Sequence, residues 1–254
     1  MIICVDIGNT NITLGGFIGD EIRFVARLST YPMLTVDECA ARIIGVLSLY
    51  GVDKSEVKGA IISSVVPPLN SVIKNALKLV HGVDALIVGP GIKTGVNIHC
   101  DTPSSVGSDL ICACVATHKL YGGPAIIVDM DTVTKMTVID GKGAFVGVSI
   151  LPGVLMGLSA LSSETAQLPK VSLEAPASVV AKNTADCMRS GVIYGNASMV
   201  DGMIDRICSE VGEQLPIYVT GAQAKHVIPY FSHKTFYDSD LILKGLNVLY
   251  KKNT

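Results

Sequence analysis

Two short polar turns interrupt the apolar pattern of this chain, and both carry residue types that suit phosphate binding. The first, DIGNTN, follows an apolar strand near the start, and the second, DMDTVT, follows another strand in the second half. An aspartate at a strand end, followed by small polar residues, makes a tight turn whose backbone N–H groups can cradle phosphate. An Asn/Gly hairpin turn without a ligand is the alternative for the first segment, because tight hairpins select the same residues.

In the first turn, Gly8 permits close approach of the backbone to a ligand, and the small polar side chains around it add hydrogen-bond donors. Asp6 could hold a cation that neutralises phosphate charge. The residues of this predicted ATP-binding turn are Asp6, Gly8, Asn9, Thr10, Asn11 and Thr13. Two such turns, one in each half, are what a nucleotide bound between duplicated domains requires.

The elements that must position these turns follow an α/β pattern. Strands of nearly continuous Val/Ile content alternate with longer helical patterns, which is typical of mostly parallel sheets. The strand candidates are IICVDI, GAIISSVV, ALIVG, AIIVDM and IYVTG. Between the first two, TVDECAARIIGVLSLYG predicts a helix that opens with a capping box of Thr35 and Glu38 and ends at Gly51. We expect this helix to connect neighbouring strands.

The two halves of the chain predict one repeated topology, β-β-β-α-β-α-β. The first copy begins with strands at 2–6, 12–18 and 21–28, and the second begins with AIIVDM, KMTVID and AFVGVSI. Chance alternation in an α/β chain is the alternative. The layout resembles the actin, Hsp70 and sugar kinase superfamily, which implies duplicated ribonuclease H-like (actin-like ATPase) domains at 1–118 and 119–254. Their sheets would be mixed, mostly parallel and flanked by helices, with a nucleotide cleft between the domains.

Composition argues against several classes of partner. The net charge is −2, and no run of Lys or Arg could follow a nucleic-acid backbone. Asp6 interrupts the N-terminal apolar stretch too early for a signal peptide or a membrane span.

The seven cysteines lie in apolar surroundings without zinc or disulfide spacing, so we predict reduced core residues of a cytosolic protein. Cys112 and Cys114 would lie on different faces of a helix, which favours core filling over metal binding.

Several segments, in order, resemble those of type III pantothenate kinases, which phosphorylate pantothenate in the first step of coenzyme A synthesis. The family's D-x-G-N-T corresponds to Asp6–Thr10, its P-G-x-K-T-G to PGIKTG, and its V-G-x-D-R to VGSDL. DMDTVTK stands in place of D-x-G-T-A-T-T. LPGVLMGLSALSSETAQLP and KNTADCMRSGVIYG resemble two further family segments, so the likeness spans nearly the whole chain.

By position, the resemblance implies roles for individual residues. Asp109 corresponds to the general base, Asp129 to the ligand of a monovalent cation, K⁺ or NH₄⁺, and Thr132 to a nucleotide contact. The residues implied in substrate binding are Gly107, Ser108 and Thr184. The resemblance also implies Mg-ATP as co-substrate, pantothenate as acceptor and a homodimer. The apolar helix from Gly153 to Leu161 could form the dimer interface or belong to the core.

Three of these residues also have purely structural interpretations. Asp109 would lie in the first turn of a helix, where the macrodipole favours a carboxylate. Thr184 could be a helix-interior hydroxyl bonded to its own backbone, and Asp129 a strand-end carboxylate that caps a turn. The resemblance favours the functional roles.

Four positions depart from the family's pattern at ligand contacts. Leu110 and Cys100 replace an Arg and a Tyr that line the pantothenate pocket, while Asp131 and Val148 replace glycines. Losing a charge-assisted hydrogen bond costs about 1.5 to 3 kcal/mol. Lys135 could pair with Asp131 on the same face, or Asp131 could bind a divalent cation. Two hypotheses follow: a pantothenate kinase, or a paralogue with weakened activity or another acceptor that acts as a nucleotide-binding regulator.

Overall fold

The computed structural model describes residues 1–254, and the chain divides into two compact units. The first unit contains residues 1–121, 143–145 and 240–254, and the second contains residues 122–142 and 146–239. The predicted division between residues 118 and 119 lies close to the first of these boundaries. It differs at the C-terminus, because residues 240–254 pack in the first unit.

A five-stranded sheet forms the centre of the first unit, in the order β3-β2-β1-β4-β5. Its strands are β1 (Ile2–Ile7), β2 (Asn11–Ile18), β3 (Glu21–Ser29), β4 (Gly59–Ser64) and β5 (Leu86–Ile87). β1 pairs antiparallel with β2 and parallel with β4. The β2–β3 pair is antiparallel and the β4–β5 pair is parallel, so the sheet is evenly mixed rather than mostly parallel.

The second unit repeats this arrangement in a sheet of order β10-β9-β6-β7-β8, with β6 in the place of β1. Its strands are β6 (Ala125–Met130), β7 (Val133–Ile139), β8 (Phe145–Pro152), β9 (Ile217–Thr220) and β10 (Phe236–Tyr237). β6 pairs antiparallel with β7 and parallel with β9, as β1 does with β2 and β4. The duplicated topology predicted from the sequence is confirmed.

Helices connect and cover the strands. They are α1 (Val36–Leu49), α2 (Pro67–His81), α3 (Ser108–Tyr121), α4 (Val154–Ser163), α5 (Thr184–Val211), α6 (Ala224–Val227) and α7 (Leu241–Asn253). Alternate residues of β1 face different helices, because side chains alternate along a strand. Ile3, Val5 and Ile7 pack in a cluster with residues of α1 and α2, whereas Cys4 packs with residues of α3 and α7. None of the helices combines the length and apolarity needed to cross a bilayer.

The C-terminal helix α7 joins the first unit because it packs closely against α3. A Cβ at Gly245 would lie 2.0 Å from the carbonyl oxygen of Cys112, so only glycine allows this approach. Leu243, Leu246 and Leu249 are buried beside Ile111 of α3. An amphipathic pattern predicts that a helix is buried on one face, but it does not specify which sheet the helix covers.

The N-terminus of α1 forms the capping box predicted from the sequence. Thr35 donates its backbone N–H and its hydroxyl to Glu38 Oε2, both at 2.9 Å, and the Thr35 hydroxyl accepts from the Glu38 N–H at 3.4 Å. The hydrogen bonds from the Thr35 backbone and then from its side chain lower the pKa of Glu38. The contacts of the Thr35 and Glu38 N–H groups satisfy backbone donors that have no partner within the helix.

The lowered pKa of Glu38 gives this cap a defined pH dependence. A carboxylate whose folded-state pKa is depressed stabilises the fold above its unfolded pKa, about 4.3, and loses that contribution as pH falls through the folded value. We expect Glu38→Ala to lower Tm at pH 7, and this difference from the wild type to shrink as pH approaches 3. Thermal unfolding by circular dichroism at both pH values measures the two differences. Equal differences at both pH values would contradict the prediction.

Candidate functional site

The first polar turn lies between β1 and β2, and one buried side chain holds it in place. Thr30, which is 1% exposed, donates its hydroxyl to the Gly8 carbonyl at 2.7 Å and its N–H to the Thr10 carbonyl at 3.0 Å. The Gly8 N–H donates to the Asn11 carbonyl at 2.9 Å. Asn9 and Thr10 remain exposed, as a turn that contacts a ligand requires. The role of Thr30 was not predicted, because it follows β3 and is distant from the turn in sequence.

Asp6 is the next-to-last residue of β1 and lies on the face that carries α3, since it lies two residues after Cys4. It lies opposite Thr13 in β2 and Ser63 in β4, so the three side chains share one face of the sheet. The hydroxyl of Ser63 is 3.0 Å from that of Ser108, the first residue of α3. The Ser108 hydroxyl also accepts from the Ser64 N–H at 2.8 Å and therefore ties the start of α3 to the end of β4.

Asp109 is the second residue of α3, in the first turn, where the sequence placed it. Its carboxylate is largely buried, with the residue 8% exposed, and Oδ1 accepts a hydrogen bond from the Leu110 N–H at 2.9 Å. A Cβ at Gly107 would lie 2.4 Å from Asp109 Oδ1. Glycine at position 107 therefore makes room for the carboxylate, which lies at the positive end of the helix dipole.

The carboxylates of Asp6 and Asp109 both lie near the buried thiol of Cys112. Burial is the main cause that raises the pKa of the Cys112 thiol, and the negative charges of Asp6 and Asp109 raise it further. Burial also raises the pKa of Cys114 to about 12. Cys112 and Cys114 are both fully buried, so the prediction that the C-x-C segment fills the core is confirmed. The structure has no cluster of three or more His, Cys, Asp or Glu side chains suited to a metal ion.

The second polar turn joins β6 to β7. Asp131 and Thr132 form its tip, and the Asp131 N–H donates to the Val133 carbonyl at 3.2 Å. No residue other than glycine has a positive φ in this chain. Asp131 therefore adopts an ordinary backbone conformation where the family has glycine, and the replacement adds charge and bulk without backbone strain.

Two glycines from neighbouring strand ends pack against the backbone of this second turn. A Cβ at Gly153, which precedes α4, would lie 2.1 Å from the Thr132 carbonyl oxygen. A Cβ at Gly221, which follows β9 with φ +96°, would lie 2.4 Å from the Met130 carbonyl oxygen. The Gln223 N–H donates to that same carbonyl at 3.0 Å. These contacts were not predicted. The sequence signal that could have indicated them is a glycine directly after the end of a strand.

An ion pair lies at the base of the second turn. Lys135 of β7 is directly opposite Asp129 of β6, and Lys135 Nζ is 2.7 Å from Asp129 Oδ2. Both side chains are mostly buried, with exposed fractions of 13% and 7%. The antiparallel register produces this pair, which was not predicted. The sequence left open whether Lys135 pairs with Asp131 or Asp131 binds a divalent cation, and it did not assign Lys135 a position in the ladder.

The other residues with predicted roles lie on different elements. Thr184 is exposed at the first position of α5, so it is not the helix-interior residue considered as an alternative. The preceding Asn183 caps the helix by accepting from the Asp186 N–H at 2.9 Å. The Asn183 side-chain amide also donates to Asp186 Oδ2 at 2.8 Å, and this second contact is the main cause of the lowered pKa of Asp186. Among the departures from the family pattern, Leu110 is 7% exposed and belongs to the core of the first unit. Cys100 and Val148 are half-buried.

Each unit has an aspartate near the end of its first strand and a polar turn after it. This fold is the actin-like ATPase fold that sugar kinases share, and it defines the class of the protein. Two solved structures support this class. A protein from Campylobacter jejuni assigned to the Baf family of transcriptional activators has a TM-score of 0.61 and 20% identity, covering 99% of this chain and 98% of that chain. An inorganic polyphosphate/ATP-glucomannokinase from Arthrobacter has a TM-score of 0.52 and 14% identity, with coverage of 99% and 98%.

Sequence comparison defines the family within this class. The model of the type III pantothenate kinase family matches residues 2–206. The type III pantothenate kinase of Brevibacillus brevis is 40% identical over 253 residues, covering 100% of this chain and 99% of its own length. That of Moorella thermoacetica is 37% identical over 254 residues, with 100% of both chains covered. The chain belongs to the type III pantothenate kinase family.

Proposed function

We propose that this protein transfers the γ-phosphoryl group of ATP to pantothenate, giving 4'-phosphopantothenate in the first step of coenzyme A biosynthesis. Family membership supports the identity of both substrates. The structural observation that carries the proposal is the carboxylate of Asp109. It is largely buried at the start of α3, it has space created by Gly107, and its charge acts on the same thiol as that of Asp6.

In this proposal, Asp109 accepts the proton of the pantothenate hydroxyl as that oxygen attacks the γ-phosphorus in line. Phosphoryl transfer needs mainly correct positioning and stabilisation of spreading negative charge. The turns supply these, with ATP-binding residues at Asp6, Gly8, Asn9, Thr10, Asn11, Thr13 and Thr132. Magnesium accompanies ATP, and the chain's own part is to present backbone and hydroxyl donors to the phosphates.

Gly107, Ser108 and Thr184 are the pantothenate-binding residues of the proposal. Gly107 contributes by leaving space beside Asp109. The Ser108 hydroxyl already bonds the backbone of Ser64, so Ser108 would contact the substrate through its other atoms. Thr184 is exposed at the start of α5, where hydroxyl and backbone donors are accessible to a ligand.

Asp129 is proposed as the carboxylate that holds a positive charge at the second turn. The resemblance implies that this charge is a monovalent cation, K⁺ or NH₄⁺. Such an ion needs several oxygen ligands, whereas Asp129 Oδ2 already contacts the ammonium group of Lys135 at 2.7 Å. Oδ2 of Asp129 therefore does not fit an added cation beside the Lys135 ammonium, and no step of the proposed reaction depends on one.

A regulatory paralogue that binds nucleotide is the second candidate. Leu110 favours it, because this residue lies buried where the family has an Arg that contacts pantothenate. An aliphatic side chain cannot replace the hydrogen bonds of a guanidinium. Weakened acceptor binding, or another acceptor, is the expected consequence.

Transfer of labelled γ-phosphate from ATP to pantothenate by the purified protein, with Mg²⁺, separates the two candidates. We expect 4'-phosphopantothenate to form at saturating pantothenate. A reaction without acceptor measures background ATP hydrolysis. Absence of product at high pantothenate, with ATP binding retained in a calorimetric titration, would contradict the kinase and favour the regulator.

We also propose a cytoplasmic homodimer. Helix α4 buries Val154 and Leu158 against its own unit, while Leu155 and Met156 are 46% and 45% exposed on the other side. The helix therefore divides its apolar residues between the core and an exposed surface that suits a second copy. Light scattering of the purified protein tests this, and the mass of a single chain would contradict it.

A further inference from the structure

The Asp129–Lys135 pair places a fixed positive charge at the base of the second turn. The two residues are direct partners in the antiparallel ladder between β6 and β7, so the backbone register sets their separation. Lys135 Nζ lies 2.7 Å from Asp129 Oδ2, and both side chains are largely shielded from water. Oδ2 of this buried carboxylate therefore has a charge partner at hydrogen-bonding distance without a bound ion.

The ammonium group of lysine has the same charge as NH₄⁺ or K⁺, and it donates N–H bonds as NH₄⁺ does. Its four-carbon stem tethers it, so binding requires no free ion. An additional monovalent cation at Asp129 would lie close to the Lys135 ammonium and be repelled by it, and low exposure weakens the screening of that repulsion.

We propose that Lys135 is a built-in cation: its ammonium group takes the place at Asp129 of the monovalent cation that the resemblance implies, and the reaction does not need K⁺ or NH₄⁺. Lys135 is a positioning residue, since it acts through Asp129 and the turn. This inference rests on the proposed function and deepens it, because it names what supplies the positive charge beside Asp129.

The first test compares initial rates of pantothenate phosphorylation by the wild type in KCl, NH₄Cl and tetramethylammonium chloride at equal ionic strength. Tetramethylammonium is too large to occupy a site built for K⁺. We expect the three rates to agree within about twofold. Activation of more than about tenfold by K⁺ or NH₄⁺ would overturn the proposal.

The second test removes the built-in charge. Lys135→Met keeps an apolar stem of similar length, and we expect its rate in tetramethylammonium chloride to fall at least tenfold and to recover in NH₄Cl or KCl. Lys142→Met, at an exposed position just after β7, is the control and should match the wild type in all three salts. A fall in rate that neither cation relieves would assign Lys135 a different role.

A third measurement needs no catalysis. We expect K⁺ and NH₄⁺, relative to tetramethylammonium, to raise the Tm of Lys135→Met and to leave the Tm of the wild type unchanged. If Lys135→Met does not fold, the same comparison is made on Lys135→Ala, whose shorter side chain leaves more space for an ion. A K⁺-specific rise in the wild type would overturn the inference.

The melting data also distinguish failure of this inference from failure of the proposed function. If the wild type forms no 4'-phosphopantothenate in any salt, the kinase proposal is contradicted, and the cation dependence of Tm alone decides the role of Lys135. If the wild type is active only with K⁺ or NH₄⁺, the kinase proposal holds and the inference about Lys135 is wrong.

Discussion

Asp109→Asn is expected to lower kcat/KM for pantothenate phosphorylation by about a thousandfold, within the range of 10² to 10⁴ typical for loss of a general base. A thousandfold loss corresponds to about 4 kcal/mol of transition-state stabilisation. The asparagine amide has nearly the same shape as the carboxylate, and its oxygen can still accept from the Leu110 N–H. The variant should therefore fold normally, bind ATP as the wild type does, and lose only the ability to accept the proton.

The matched control for this prediction is Asp37→Asn. Asp37 is the second residue of α1, as Asp109 is of α3, and it is exposed. Both substitutions remove one negative charge from a helix N-terminus, so their effects on helix stability should be comparable. Only the Asp109 variant should lose phosphoryl transfer. Steady-state kinetics with thermal unfolding as the fold check measures both, and near wild-type kcat in Asp109→Asn would refute its assignment as the base.

Gly153→Ala is expected to lower the free energy of unfolding by about 2 to 3 kcal/mol, as overpacking of a tight contact does. The new Cβ would lie 2.1 Å from the Thr132 carbonyl oxygen and 2.8 Å from that of Asp131. These neighbours are backbone atoms, which cannot rotate away, so the second turn must shift. Because Thr132 is proposed to contact ATP, the KM for ATP should also rise, by about tenfold for a loss of roughly 1.4 kcal/mol in binding.

Gly157→Ala provides the control within the same helix. A Cβ at Gly157 has no neighbour within 4 Å, and the residue lies inside α4. Alanine there should leave stability unchanged or raise it by about 0.4 to 1 kcal/mol, through the reduced entropy of the unfolded chain. Urea unfolding and ATP titrations of both variants test the pair. If Gly153→Ala were as stable as the wild type and bound ATP equally well, the close packing of Gly153 against the second turn would not be required for stability or ATP binding.

The sequence by itself determined the class of fold and the order of its elements. Apolar strands such as IICVDI and AIIVDM are buried on both faces, and such runs are readable because burial acts on every residue of the strand. The capping box of Thr35 and Glu38 was predictable because its contacts join residues three apart. The motifs around Asp6, Asp109 and Asp129 also lie within short segments, so the family could be identified before the structure was known.

The tertiary structure decided what depends on contacts between distant segments. Thr30 holds a turn more than one strand away, Gly153 and Gly221 pack on a hairpin that neither adjoins in sequence, and α7 crosses to the first unit to pack on α3. The pairing of Lys135 with Asp129 follows from the register of β6 and β7. Side-chain alternation alone cannot specify this register, because a shift by two residues leaves every side chain on the same face. The local sequence pattern specifies a helix or strand and its apolar face. Which other elements it contacts is decided by tertiary packing. In the second unit, this packing places Lys135 beside Asp129 at the base of the second turn.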